Sequence, residues 1–254
     1  TLEKLVKLSG IYRPYKVVIG SRTKVLSSPE LGALLLHLVS ANLDSVSFNL
    51  IKKKVSFANA YLPKADLRGI DLSSINLNNA YLENADLRNS NLTDASFEMV
   101  VLSNAMLDSV IGTRCNLERA DLSWTQLKHS NFTEANFRGA CLVSSTADKA
   151  TFRNADLYLA NLKNACFTET DFSDARLISC NLERANLIYS NLLSTNLSGS
   201  NMNLTNLSEV KVTSDWFKVF KERVVTRGID VVPRYRLEAD SAAGDSIYRL
   251  KPLF

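Results

Sequence analysis

A large apolar residue returns at every fifth position over most of this chain. Stepping by five from Phe57 to Val212 visits 32 positions, and all but Gly112 and Ala147 are Leu, Phe, Met or Val. The members include Leu82, Leu102, Leu122, Phe132, Phe152 and Phe172. On an α-helix five residues advance about 500°, so successive leucines would spiral around the whole surface and leave no apolar stripe. On a flat strand, side chains alternate with period two, so every second Leu would point into water. Only a corner in each five-residue unit returns every Leu to the same side. Four right-angle corners close a square, which makes one coil about twenty residues long.

A second register, two residues before the first, is filled mainly by Ala, with Ser, Thr, Cys, Val and Ile at other positions. The unit therefore reads small–polar–Leu/Phe–polar–polar, as in Ala85-Asp86-Leu87-Arg88-Asn89. The first and third residues face inward and the others face water. Gly112 and Ala147 would leave holes, and each has a Phe one coil further on, Phe132 and Phe167, to fill the space that close packing demands. Phe132, Phe152 and Phe172 should stack as a ladder on one wall. Only nine Gly and five Pro serve this many corners, so ordinary residues must make the turns.

This pattern resembles the pentapeptide-repeat family, whose motif is A(D/N)LXX, over about Val55 to Val212. The resemblance implies an all-β solenoid, a right-handed quadrilateral β-helix. Stacked at about 4.8 Å, eight coils make a rod roughly 38 Å long. Ala41-Asn42-Leu43 and Val46-Ser47-Phe48 also fit the motif, which extends the repeat to 41–212 and to eight or nine coils, with 49–54 and its three lysines extruded as a loop.

Open ends of a solenoid expose strand edges and core, so caps are expected. Within residues 1–40, Ser28 as N-cap, Pro29 at the first helical position and Glu30 in the first turn announce a short helix over Leu31 to Val39. Tyr12 to Leu26 reads as extended. At the other end, Ser214-Asp215 opens and Gly228 closes a capping helix over 213–228, with Trp216, Phe217, Val219, Phe220, Val224 and Val225 on its apolar face. Residues 229–254 read as a tail, disordered over Ala239 to Asp245, whose last residues, Tyr248 to Phe254, dock on the rod or on a partner.

Little in the sequence promises chemistry. His37 and His129 have no partner at metal-ligand spacing. Cys115 and Cys180 occupy the inward small slot, while Cys141 and Cys166 face outward on different walls. None has a recognisable base, and four cysteines without CxxC spacing fit free thiols. No catalytic, cofactor-binding or metal residues are assigned, and the chain reads as a non-enzyme without a small-molecule substrate. No apolar run reaches the length of a membrane span. The series Asn181, Asn186, Asn191, Asn196, Asn201 and Asn206 suggests outward hydrogen-bonded ladders.

Apolar residues in outward slots carry more information. Met99, Val101, Met106 and Ile111 fall within one coil. Tyr158, Leu159, Ile178, Ile188, Tyr189 and Leu193 form a second group, in which Tyr158 and Ile178 lie one coil apart. Trp124 stands alone. These are the candidate partner-binding residues, with docking of the protein's own termini as the alternative.

Fold does not decide role. The family resemblance implies a protein–protein interaction scaffold. The bacterial effectors and substrate-recruiting modules of larger proteins in the family share the substantial non-repeat ends seen here. The other role it implies is a DNA mimic that binds DNA gyrase or topoisomerase, as in quinolone resistance. Residues 57–210 hold 17 Asp and Glu against 12 Lys and Arg, a net of −5, while residues 1–56 carry +6 and 211–254 carry +3. A weakly acidic rod with basic ends makes a poor imitation of phosphate density. The lysines at 52–54 read as a solvated loop, which argues against nucleic-acid binding. The expectation is a protein partner met in the bacterial cytoplasm, or in a host cell for an effector, with the oligomeric state open.

Overall fold

The computed structural model describes residues 2–12, 14–19, 23–41, 43–218, 234–240 and 247–253. From residue 57 to 212 the chain winds in coils of twenty residues, just under eight in all. Isolated parallel bridges join each residue before the central Leu to its equivalent twenty positions on, as in Tyr61 to Tyr81 and Asp66 to Asp86. The Leu82 N–H donates to Val101 O at 2.7 Å, and the Val101 N–H donates to Ala80 O at 3.0 Å. Four bridge columns give the coil four walls, which we number from Tyr61, Asp66, Asp71 and Asn76. Each pairing is one residue wide because a corner follows at once, so the repeats form bridges rather than regular strands.

The corners explain the motif. The small residue's N–H reaches back three positions to the Leu carbonyl, as in Ala85 to Leu82 at 3.0 Å. The residue two after Leu is left-handed at every corner from Asn59 to Glu209, with φ between 55° and 70°, in 28 non-glycine residues and three glycines. None of these residues is β-branched, the class for which this conformation is worst. The Asp or Asn before Leu steadies the corner, because its Oδ1 accepts the N–H two residues on: Ser73 to Asp71, Thr93 to Asn91 and Ser123 to Asp121, each at 3.0 Å.

Inside, the Leu/Phe and small columns form one continuous core. Leu82, Leu102 and Leu122 are fully buried. Phe132, Phe152 and Phe172 stack with centroids 5.7 and 5.2 Å apart. A Cβ on Gly112 would lie 2.4 Å from the Phe132 ring, so that ring occupies the space a larger residue would need. Phe167 packs edge-on against Phe152 and Phe172.

Before the coils come α1 (Leu2–Ile11), the antiparallel hairpin of β1 (Tyr15–Ile19) and β2 (Thr23–Ser27), α2 (Pro29–Ser40) and α3 (Ser45–Lys54). Ser28 caps α2, its Oγ accepting the Leu31 N–H at 3.2 Å. Its backbone also bridges Ala60, donating to Asn59 O and accepting from the Tyr61 N–H, which supplies hydrogen bonds that a preceding coil would otherwise make. Gly32 brings the α2 backbone against the first coil, where a Cβ would lie 2.1 Å from Tyr61 O.

The reading of residues 41–54 as repeat plus extruded loop is corrected over Ser45–Lys54, which form α3, while Asn42 of the first motif match lies outside the described residues. Asp44 caps α3, accepting the Ser47 N–H at 2.9 Å, and Phe48, Ile51 and Val55 follow helical spacing, which prevails over the isolated motif match Val46-Ser47-Phe48. Lys52 is buried rather than solvated. Its Nζ donates to Asp71 O at 2.7 Å and pairs with Asp71 Oδ2 at 3.1 Å, and desolvation lowers its pKa against the opposing effect of Asp71. Only Lys53 and Lys54 remain exposed.

The expected tail is also corrected. β3 (Lys211–Thr213), β4 (Tyr235–Ala239) and β5 (Ile247–Pro252) form an antiparallel sheet in the order β3-β5-β4. Leu250 is buried, its backbone exchanging hydrogen bonds with Glu209 and Val210. Ala239 and Asp240 are ordered parts of this unit, and Asp240 is buried against Arg249. Of the expected capping helix, residues 216–218 form one helical turn with Trp216 buried. Residues 219–228, including Gly228, lie outside the described residues, as do 241–246.

Candidate partner-binding surface

The twenty-residue coil redistributes the apolar residues that sequence adjacency had grouped. Val101, Met106 and Ile111 belong to the first, second and third bridge columns. Met99 stands at the corner between the fourth wall and the first. Neighbours in sequence therefore face different directions and form no single patch. The second group divides likewise: Tyr158, Leu159 and Ile178 lie on the fourth wall and its edge, whereas Ile188 and Tyr189 follow the second and Leu193 the third. The asparagine series also spreads over all four walls. Its rungs run from coil to coil instead, as in Asn201 Nδ2 to Asn181 Oδ1 at 3.2 Å.

Four of the five most exposed of these side chains share one backbone position. Met99, Trp124, Leu159 and Tyr189 are 48%, 62%, 55% and 52% exposed, and each is the left-handed corner residue of its repeat. Asn or Gly suits such a corner best, so a bulky apolar side chain there sits in a sparsely populated conformation and in water at once. Ile111 is exposed on a wall, and Val101, Met106, Tyr158, Ile178 and Ile188 are half-buried.

On the fourth wall the coil brings together residues that the sequence reading missed. The Tyr158 ring lies between two guanidinium groups, with Arg138 Cζ 4.8 Å and Arg176 Cζ 5.1 Å from its centroid. Both arginines pair through NH1 with Asp156 Oδ2, at 3.1 and 3.0 Å. Cation–π stacking and a shared carboxylate thus hold three large side chains in place before any partner arrives. Ile178 lies one coil beyond Tyr158, its carbonyl accepting the Leu159 N–H at 3.0 Å. The signal was available in the sequence, since Arg138 precedes Tyr158 by one coil and Arg176 follows Asp156 by one.

Elsewhere outward charges pair between coils, as in Arg114 with Asp94 and Lys163 with Glu183. Cys115 and Cys180 are buried, and desolvation raises both thiols, Cys180 to about 12. The half-buried Cys166 Sγ lies 3.1 Å from Asp148, and Cys141 Sγ lies 3.1 Å from Ser123 Oγ. Neither neighbour is an imidazole or amine that would activate a thiol. Among the described residues no cluster of His, Cys, Asp and Glu could hold a metal ion, and no helix is long and apolar enough to cross a membrane.

No curated protein matches the chain. Similar solved structures include HetL, a pentapeptide repeat protein involved in heterocyst differentiation regulation from the cyanobacterium Nostoc sp. strain PCC 7120. It is 21% identical, with 66% of this chain and 96% of HetL covered and a TM-score of 0.34. A trypsin-treated form of QnrB1, a plasmid-mediated fluoroquinolone resistance protein, is 16% identical over 65% of this chain and 85% of its own, with a TM-score of 0.41. These likenesses do not say what this chain binds. The family model for pentapeptide repeats matches in eight copies, over residues 53–89, 70–107, 115–154, 144–174, 165–203 and 175–213, which is more than half of the sequence. With the five-residue corners and twenty-residue bridges, that match places the chain in the pentapeptide repeat family.

Proposed function

We propose that this chain is a non-catalytic scaffold for protein–protein interaction, with the fourth wall around Tyr158 as its docking face. The observation that carries the reading is the Arg138–Tyr158–Arg176 stack beside Leu159 and Ile178. Tyr and Arg dominate binding energy at protein interfaces, and a stack fixed in advance loses little side-chain entropy on docking. In this reading the coils follow the right-handed path of the family, α2 and α3 close one end of the rod, and the C-terminal sheet closes the other. The partner is a protein of the bacterial cytoplasm, or of a host cell for a delivered effector.

The alternative, imitation of DNA toward gyrase or topoisomerase, finds less support. The rod's net charge is only −5, and many of its acids are neutralised by pairs from coil to coil. Affinity capture from bacterial and host lysates, with wild type beside a Tyr158→Ala/Leu159→Ser variant of unchanged thermal stability, tests the proposal. A protein retained by wild type and lost by the variant is the expected result. Equal retention by both would remove the fourth wall as the face, and inhibition of gyrase supercoiling by both would favour the alternative.

A further inference from the structure

At the joint between the rod and the C-terminal sheet, Lys211 of β3 and Arg249 of β5 are directly opposed partners in an antiparallel pair. Like charges in that relation destabilise a sheet. Neighbouring positions show the ordinary solution: Lys251, two residues from Arg249, pairs with Glu209, and Arg249 itself is held by Asp240 at 2.9 Å. Lys211 has no ion pair among the described residues.

The opposed cations line a groove of about 600 Å³ with Glu169, Asp171, Tyr189 and Asn191. One of its acids has a cation partner and the other accepts only neutral hydrogen bonds. Glu169 lies 3.7 Å from Lys149, and Asp171 Oδ1 accepts from Asn191 Nδ2 and from the Ser173 N–H, both at 2.9 Å. Lys211 is thus the cation of the groove that has no ion pair among the described residues. Tyr189 contributes an exposed aromatic ring from a left-handed corner, where Asn or Gly would fit with less strain. The groove has the volume typical of small-ligand sites. It combines a cation without an ion pair beside a second one, two carboxylates, an amide, and a ring face.

We propose that this groove binds a small ligand in which a phosphate or carboxylate is attached to a flat ring. The anion sits between Lys211 and Arg249, with the ring against Tyr189. The opposed cations are the cost of the site in the free protein, and the anion relieves it. The reading does not depend on the fourth wall, which faces another direction.

The test uses phenyl phosphate, benzoate and inorganic phosphate as probes, with binding followed by calorimetry and thermal unfolding on the whole chain. At least one of the two ring-bearing anions binds saturably and more tightly than inorganic phosphate, and the tighter of the two identifies the anionic group. Lys211→Gln weakens that binding about tenfold or more, the scale of one lost charge-assisted hydrogen bond. Tyr189→Ala reduces the ring-bearing ligand to the affinity of inorganic phosphate. Lys211→Gln also unfolds at a higher temperature than wild type without ligand, because the opposed charges are gone, a signature that a purely structural lysine would not give. The proposal is overturned if neither ring-bearing probe saturates, if Lys211→Gln binds as wild type does, or if that variant is less stable than wild type without ligand.

Discussion

The rod and its two ends are held together by different rules. In the rod each residue meets its equivalents twenty positions before and after, so one local unit repeated many times makes core, corner and wall together. At the ends each contact occurs once: Ser28 bridges Ala60, Lys52 reaches Asp71, and Leu250 closes on Glu209 and Val210. The rod is therefore a quasi-one-dimensional array whose stability adds coil by coil, whereas the ends are tertiary attachments that can detach singly. The comparison shows which parts a five-residue frame can explain and which depend on packing across distant sequence.

The sharpest way to break this distinction is to cut the rod at its middle. Phe152 touches Phe132, Phe137, Phe167 and Phe172, so Phe152→Ala removes one ring from several coils at once. The expected loss is about 3–5 kcal/mol, seen as a lower midpoint of chemical denaturation. If instead only a few amides near residue 152 lose protection from hydrogen exchange, the coils do not act as a cooperative array.

Leu250→Ala should cost less, toward the lower end of the ~2–5 kcal/mol range for such truncations, because a chain end can collapse around the vacancy. Hydrogen exchange should speed up in the C-terminal sheet and leave the middle coils protected. Equal acceleration in both would show that the sheet is part of the rod's cooperative unit.

Gly112→Leu should cost about 1–3 kcal/mol through overpacking against Phe132. The double variant Gly112→Leu/Phe132→Leu should recover most of that loss, since it restores the ordinary column. Failure of the second change to rescue the first would mean that the ring does not compensate for the missing side chain.

The smallest effect concerns surface charge. Hydrogen bonds from Arg68, Arg88 and Arg114 hold the carboxyl groups of Asp66, Asp86 and Asp94 below the usual range, Asp66 at about 2. Their folded pKa values lie under the unfolded value of about 3.9. Their contribution is therefore complete above that pH and disappears as pH falls through the folded values. A shallow decline in thermal stability from pH 4 toward 2, weakened by molar salt, is the expected signature, since such exposed pairs are strongly screened. Salt-independent behaviour would assign the decline to other groups.

Much of the fold and little of the site could be read from the primary structure. Stepping by five located Phe132 beside Gly112 and kept Cys115 and Cys180 inside, because those relations follow from the coil length alone. The same frame misread residues 45–54. The motif match Val46-Ser47-Phe48 resembled a coil there, while Phe48, Ile51 and Val55 already followed helical spacing and Lys52 found a partner in Asp71 that no local pattern names. Met99 through Ile111 looked like one patch because adjacency on the page was taken for adjacency on the surface, whereas each corner turns the next residue through about a right angle. Counting by twenty instead of five would have found Arg138 and Arg176 around Tyr158.

By itself, then, the order of amino acids determined the corner, the inward columns and the twenty-residue coil. A small residue, an Asx side chain and a large apolar residue at fixed spacing satisfy backbone and core within each unit and its nearest equivalents. What only the tertiary structure decided is how the ends attach, and that Arg249 stands opposed to Lys211 beside Tyr189. Those relations join residues that no common period connects, so they exist only after the chain has closed on itself.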